Sequence, residues 1–392
     1  MSVRSVGERI AYYRSVARPR MTQQQLADAA CVALGTIRKI ERGERGVSTD
    51  TLEAIADALG VDPGRLLGDR EVTQSRVHAA LPALSGAIAA YDLPDDAPVR
   101  TLPQLRVAVE EAAGWRLAAQ YTRIARALPG LLPELLRGYH AATDGERRQW
   151  ADLLVRAARS ADAVAYKAGA RDLSARMIEL MRWAVPVAED PVLTSSVAYV
   201  RTETFFVARA HATGLRALEE AIDAAPAPDG TPATAARGAL HMRAAVIAGR
   251  AGDGSAAGTH LSEARALGDR VREDVYCGTA FGPDSVRVHE VSVAVSLGDE
   301  HAGRALDVAR EWAPPHSLPA ERRSGFYIEM GRAQLWAGRP DDAFEALKVA
   351  RRIAPQHTRE HPWVRQDAAT LRRLKRADAE DLSNFAEWCA AT

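Results

Sequence analysis

Two stretches near the end of this 392-residue chain repeat each other. Gly338-Arg-Pro-Asp-Asp-Ala-Phe-Glu-Ala-Leu347-Lys-Val-Ala350-Arg-Arg-Ile-Ala-Pro355 echoes Gly298-Asp-Glu-His-Ala-Gly-Arg-Ala-Leu306-Asp-Val-Ala309-Arg-Glu-Trp-Ala-Pro314. Looser echoes lie at Ala217-Leu218 with Ala221 and Ala225-Pro226, and at Leu261 with Ala264. The anchoring leucines Leu218, Leu261, Leu306 and Leu347 follow one another at intervals of 43, 45 and 41 residues. Small residues at fixed helical spacing let two helices approach closely, and one such pair cannot bury its apolar face alone. The repeat therefore predicts five or six helix pairs stacked into a superhelix with a concave face.

Composition agrees with helix-on-helix packing. Aromatic residues make up only 6% of a chain that is 47% hydrophobic, alanine is in large excess, and no segment alternates as a strand would. Ample apolar content argues against disorder. Three distant cysteines, Cys31, Cys277 and Cys389, form no disulfide or zinc framework, which suits a reducing cytoplasm. The first residues lack the apolar core of a signal peptide, and no run approaches the ~18 apolar residues of a membrane span. A cytoplasmic protein with no membrane partner is expected.

The 51 basic and 51 acidic side chains cancel overall but not locally. Residues 1–45 hold nine basic against four acidic groups, a patch suited to a polyanion. In the same region Val6, Ile10 and Tyr13 predict a first helix. Thr22-Gln-Gln-Gln25 is a capping box that opens a second, from Gln23 to Ala30. Cys31-Val32-Ala33 is a three-residue break. A third helix then runs from about Leu34 to Arg42, with Ile37 and Ile40 buried and Gly43 as its C-terminal stop. A fourth, capped by Ser48, Thr49 or Asp50, buries Leu52, Ile55, Ala56 and Leu59 and ends at Gly60. Asp62-Pro63 opens a last short helix holding Leu66 and Leu67.

Two short helices joined by three residues, inside a five-helix unit, form a helix-turn-helix arrangement. The segment resembles the Xre, or lambda-repressor-like, DNA-binding domains. The residues that carry this are Thr22-Gln23, Leu26-Ala27, Val32, Thr36-Ile37, Ile40-Glu41-Arg42-Gly43, Thr51-Leu52, Ile55-Ala56 and Leu59-Gly60-Val61. The resemblance implies base contacts from Leu34, Gly35, Thr36, Arg38 and Lys39, and phosphate contacts from Thr22, Gln23, Arg42 and Arg45. It also implies an Arg14–Glu41 pair. The chain departs from the family at Cys31, where Gly is usual, at Ala33, where a polar cap is usual, and at Leu34 and Gly35, where polar base readers are frequent. Cys31 is read as a small buried side chain. With few direct readers, specificity leans on DNA shape.

The Gly338–Pro355 unit resembles a lengthened tetratricopeptide (TPR) repeat. The joint arrangement resembles actinobacterial Xre-type regulators with a C-terminal TPR-like domain, with further marks at Leu128-Pro-Gly-Leu-Leu-Pro-Glu-Leu135, Phe281-Gly-Pro-Asp-Ser-Val286 with His289, and His361-Pro-Trp-Val-Arg365. A more distant resemblance is to peptide-sensing Xre–TPR regulators of Gram-positive bacteria. The expected architecture is all-α: a five-helix lambda-repressor-like domain over 1–70, a linker helix and loop over 71–100, and a TPR-like α-superhelix over 101–392.

Other signals carry less. His357-Thr-Arg-Glu360-His361 has the spacing of a zinc-peptidase helix, but Pro355 and Pro362 bracket it and too little chain follows for a third ligand. No phosphate-binding loop, nucleophile elbow or dinucleotide fingerprint is present. Hence no catalytic residue, metal or cofactor is expected. Tyr276–Asp284 is read as an irregular inter-helix loop with Phe281 plugging the core. The alternative is a loop lining a ligand pocket, with Asp284, Arg287 and His289 near it; these, with Arg201, Arg209 and His241, are candidate effector contacts, and Glu203 and Arg243 are further polar groups on helices that could face the concavity. The expected function is a homodimeric regulator of transcription that reads double-stranded DNA and senses a small molecule, peptide or protein. The alternative is a TPR interaction scaffold localised by its DNA-binding domain.

Overall fold

Ser5 and Thr22 open the first two helices with the same device. Each hydroxyl accepts the amide three residues on, and Glu8 or Gln25 at that position reaches back to the cap amide. The computed structural model describes residues 5–17, 20–59, 61, 66, 69–374 and 379–389, and divides into two units, 1–79 and 80–392. It is all-α apart from one small hairpin among the described residues.

In the first unit, α1 (Val6–Val16), α2 (Gln23–Ala29), α3 (Leu34–Glu41) and α4 (Thr49–Leu59) enclose Ile10, Leu26, Ile37, Ile40, Leu52 and Ile55. Burying each such side chain stabilises the unit by about 1.5–3 kcal/mol. Ser48 caps α4 through the amide of Thr51. Gly60, Asp62-Pro63 and Leu67 lie outside the described residues; Leu66 is buried, and its carbonyl accepts from Arg9 Nε at 2.8 Å. Gly7 lets α1 approach α3, since a Cβ there would stand 2.0 Å from the Ile40 carbonyl oxygen. Cys31 corrects the sequence reading. It is exposed, with φ 54°, and holds the left-handed turn position between α2 and α3. A helix, α5, runs from Asp69 to Ala89 through Pro82.

The second unit is a file of helix hairpins: α6 (Leu102–Leu117) with α7 (Tyr121–Ala141), α8 (Asp144–Lys167) with α9 (Arg171–Ala188), α10 (Pro191–Ala208) with α11 (His211–Ala224), and α12 (Thr231–Arg250) with α13 (Gly254–Gly268). It continues with α14 (Pro283–Leu297) and α15 (Ala302–Glu311), then α16 (Ala320–Trp336) and α17 (Pro340–Ile353), and ends in α18 (Pro355–Glu360), α19 (Pro362–Leu374) and α20 (Ala379–Trp388). The leading helices stack along the file, α10 on α12, α12 on α14, α14 on α16 and α16 on α19. Leu218, Leu261, Leu306 and Leu347 fall on the second helices of four consecutive hairpins, and all but the half-buried Leu306 are fully buried. The turn inside each of these hairpins holds one residue at positive φ: Arg209, Gly252, Gly298 or Gly338.

The loop expected at Tyr276–Asp284 is instead a two-stranded antiparallel hairpin, β1 (Asp274–Tyr276) and β2 (Thr279–Phe281), with Tyr276 opposite Thr279. Cys277 and Gly278, at φ 45° and 75°, form its two-residue turn, whose left-handed backbone matches the twist of the strands. Phe281 is fully buried, its ring against Gly238 of α12.

The file also returns on itself. The Thr122 amide and hydroxyl meet Gln356 Oε1 at 3.1 and 3.3 Å across 234 residues. Arg116 donates to the Gly278 carbonyl at 2.7 Å across 162. The concave side is thereby drawn into an interior cavity.

Candidate functional site

On α3 the apolar pair Ile37 and Ile40 is turned into the core, which leaves Gly35, Arg38 and Lys39 exposed on the opposite side. Nothing lies within 4 Å of where a Gly35 Cβ would be, so a flat partner can approach its backbone. Leu34 and Thr36 are half-buried, and Leu34 leans on the core. Arg42 and Arg45 are exposed just beyond the helix; Arg42 Nη2 stands 3.1 Å from Glu44. Gly43, at φ 72°, ends the helix as expected. Ala33 provides no side-chain cap.

Behind this surface Arg14 meets Glu41 through Nε and Nη2 at 2.7 and 2.9 Å and also donates to the Met21 carbonyl at 3.0 Å. Gln23 Nε2 donates to the same Glu41 at 2.6 Å. The Gln23 side chain, expected on phosphate, is therefore committed inward, and the Thr22 hydroxyl is committed to its capping box. What the start of α2 offers an anion is its first-turn amides, which have no partner within the helix.

The second unit holds a cavity of about 270 Å³, lined by the leading helix of each hairpin, the β-hairpin tip and the segment around α18. Arg116 comes from α6, Arg159, Asp162 and Lys167 from α8, Tyr199 and Glu203 from α10, and Arg243 and Arg250 from α12. His289 and Ser292 come from α14, Glu321, Arg322 and Glu329 from α16, and His357 and His361 from the far end.

Its polar groups form a partly closed network. Arg159 donates to Ser196 Oγ, the Cys277 carbonyl and Thr279 Oγ1, each at 2.6 Å. Arg322 reaches Tyr199 Oη at 2.8 Å and His289 Nε2 at 3.2 Å. His289 Nδ1 lies 2.8 Å from the Ser285 carbonyl, which only accepts, so the proton sits on Nδ1 and Nε2 receives Arg322. Burial and Arg322 hold this imidazole well below its ordinary range. Burial and Lys167 bring His357 down to about 3. Burial opposes a charge on Glu321, but Lys167 at 3.1 Å, with His357 and Arg116, holds it down to about 2. Burial, then Glu203, pushes Asp162 well up, against the Ser174 hydroxyl that donates to its Oδ1 at 2.6 Å. Burial raises Glu329 to about 7. Burial would raise Tyr199, but Arg243 and Arg322 outweigh it and lower the phenol to about 8. Two donors within the cavity wall, Arg116 Nε and Arg243 Nε, are buried without a hydrogen-bond partner.

Of the candidate effector contacts His289 lines this cavity, as do Glu203 and Arg243, the further polar groups expected toward the concavity. Arg201 lies over the Phe205 ring, and Arg209 occupies the exposed left-handed turn between α10 and α11. His241 is paired with His260, their Nδ1 atoms 3.1 Å apart. Asp284 sits in the first turn of α14, and Arg287 faces a separate recess with Arg265, Glu290 and Glu311. Arg116, Arg159, Lys167 and Arg322 were missed. Their only signal is a long cation set among alanines and glycines on a leading helix, as in Ala113-Gly-Trp-Arg116 and Ala157-Ala-Arg159. In the His357–His361 segment, Glu360 is taken up by Arg359 and Arg365, and α18 has six residues. Among the described residues no cluster of three or more His, Cys, Asp or Glu is placed to hold a metal, and no helix is long and apolar enough to cross a membrane.

Residues 20–66 match the helix-turn-helix family. The first unit thus carries an Xre-type helix-turn-helix domain, a class whose third helix reads DNA. No curated protein matches the chain. Solved structures similar to it include PlcR of Bacillus thuringiensis in complex with the peptide PapR7 and DNA (14% identity, 68% of this chain and 95% of that one, TM-score 0.29). A PrgX variant (9%, 98% and 100%, TM-score 0.26) and ComR of S. thermophilus in complex with DNA and its signalling peptide ComS (14%, 67% and 100%, TM-score 0.20) are also similar. Likeness this loose carries no argument about the ligand or assembly of the present chain.

Proposed function

We propose that the chain is a homodimeric, sequence-specific regulator of transcription. In this reading residues 1–70 bind the operator, 71–100 link, and 101–392 dimerise and sense an effector. The observation that carries it is α3, which buries Ile37 and Ile40 and presents Gly35, Arg38 and Lys39 together. Arg38 and Lys39 are long enough to reach base edges in a major groove, Gly35 allows backbone approach, and Leu34 with Thr36 contacts apolar base edges such as a thymine methyl. Arg42, Arg45 and the first-turn amides of Gln23 and Gln24 hold phosphates on either side. One such domain covers few base pairs, so two copies about one DNA turn apart are needed for useful specificity. The cavity supplies the second half of the reading. A ligand alters DNA affinity only by binding the DNA-competent and incompetent arrangements unequally, and an interior site joining helices from distant hairpins is sensitive to how they are arranged.

The test is selection of bound sequences from random duplex DNA with the purified full chain, followed by gel shifts. A single inverted-repeat operator is expected, and Arg38→Ala with Lys39→Ala should abolish its preference over random DNA while helical content is unchanged. Removing a bidentate hydrogen-bonded pair to a base costs about 1–3 kcal/mol. Unaltered operator preference in the double variant would remove α3 as the reading element.

A further inference from the structure

The cavity of the second unit gathers more cations than carboxyl groups. Six cations line the cavity: Arg116, Arg159, Lys167, Arg243, Arg250 and Arg322. Of the four carboxyl groups, Asp162 accepts from the Ser174 hydroxyl, Glu203 stands 3.7 Å from Arg243 and Glu321 is matched by Lys167. Glu329 faces the Ser292 hydroxyl at 2.5 Å. Buried charges are normally paired, because the interior does not solvate them. Here cations outnumber carboxyl groups, and Arg116 Nε and Arg243 Nε have no acceptor, while Glu203 Oε2 lacks a donor. Arg116 is 8% exposed and already tied through Nη2 to the Gly278 carbonyl. Arg243 is braced over the Tyr199 ring at 4.3 Å, with Nη2 3.7 Å from Glu203. Both guanidinium groups are thus held in place with a donor to spare.

We propose that this cavity binds a small organic anion whose carboxylate or phosphate oxygens are taken by Arg116, Arg243 and the cations beside them. A guanidinium presents its N–H donors in a plane that fits either oxyanion. Val200, Val246 and Phe206, on the same wall, meet the carbon skeleton. The volume of about 270 Å³ lies at the low end of the roughly 300–1,000 Å³ of small-molecule sites, enough for a compact acid or sugar phosphate and too little for an extended peptide. The proposal rests on the reading of this unit as the effector-sensing part, and names the class of effector.

Thermal unfolding and calorimetric titration of the full-length protein decide it. The probes are citrate, succinate, glycerol 3-phosphate and inorganic phosphate, each against sodium chloride of matched ionic strength, with spermidine as the control of opposite sign. At least one anion should bind saturably, one per chain, and raise the unfolding midpoint where chloride does not. Arg243→Gln should weaken that binding by at least about tenfold, in keeping with removal of a buried charged partner. Should that variant unfold, Gly325→Leu provides the same answer without touching a charge. Gly325 lines the cavity in α16, the closest atom to a Cβ there being His357 Cε1 at 4.0 Å, so the new side chain occupies the cavity. Leucine also favours the helix over glycine. Binding that survives in Gly325→Leu, anions that all behave as chloride, or spermidine bound in their place would each overturn the proposal. Operator binding, measured separately, keeps the two readings apart. Anion uptake without operator binding removes the regulator and leaves the anion site; operator binding without anion uptake does the reverse.

Discussion

The guanidinium of Arg14 and the carboxylate of Glu41 meet through two parallel hydrogen bonds, behind the surface proposed to face DNA. Glu41 is the last residue of α3, so this contact, with that from Gln23, fixes α3 against α1 and α2. Replacing Glu41 with Ala strips Arg14 and Gln23 of their shared acceptor at a partly buried site. The expected cost is about 1–3 kcal/mol in urea unfolding of the N-terminal transition. All operators should be bound more weakly without a change in preferred sequence, because no base reader is removed. A shift in preference would place Glu41 in readout.

Arg42 and Arg45 should act on DNA differently from Arg38 and Lys39. Both are exposed past the end of α3, whereas Arg38 and Lys39 lie on the helix itself. Arg42→Ala with Arg45→Ala should weaken every sequence alike and reduce the log–log salt slope of binding by about one for each phosphate no longer neutralised. The same slope with altered sequence preference would contradict this.

Gly238→Ala should destabilise the second unit. The added Cβ would lie 1.9 Å from Phe281 Cζ, and the ring is fully buried. Relief requires moving the ring or the strand that bears it, at a cost of about 1–3 kcal/mol. The readout is the urea midpoint; an unchanged midpoint would mean the hairpin shifts freely.

Glu329 makes stability fall with pH. Its carboxyl is raised by burial from 4.5 to about 7, with Ser292, Arg250 and Arg322 facing it. Between those values the folded chain keeps a proton that the unfolded chain has released, so stability drops across about pH 4.5–7 and is flat above. The full penalty is about 3 kcal/mol. Glu329→Gln cannot ionise. Its stability relative to the parent should be unchanged near pH 4.5 and rise to that amount by pH 7.5, measured by chemical denaturation at each pH.

Local signals were readable from the chain. The Thr22–Gln25 box, the Ile37–Ile40 spacing and Gly43 are all events within a few residues, and the regularly recurring leucines mark one helix in each of four hairpins. The β-hairpin had a local signal too, Cys277-Gly278 between apolar residues, but two three-residue strands are too short for alternation to show. Cys31 was misread because its burial depends on backbone conformation: a left-handed turn position points its side chain outward. The cavity was not readable. It exists because Arg116 meets Gly278 and Tyr199 meets Arg322, 162 and 123 residues apart, and a cation bound for the interior looks in sequence like one on a solvated face.

The contact between Thr122 and Gln356 gives the second unit a property that a plain stack of hairpins lacks. An open stack has two loose ends, and what happens at one is felt weakly at the other. Here the two ends meet at a seam fastened by two hydrogen bonds, each with a net value of about 1 kcal/mol. Arg116 and His357, close in sequence to Thr122 and Gln356, both line the cavity, so a ligand held there would bear on the join between the two ends as well as on the helices around it.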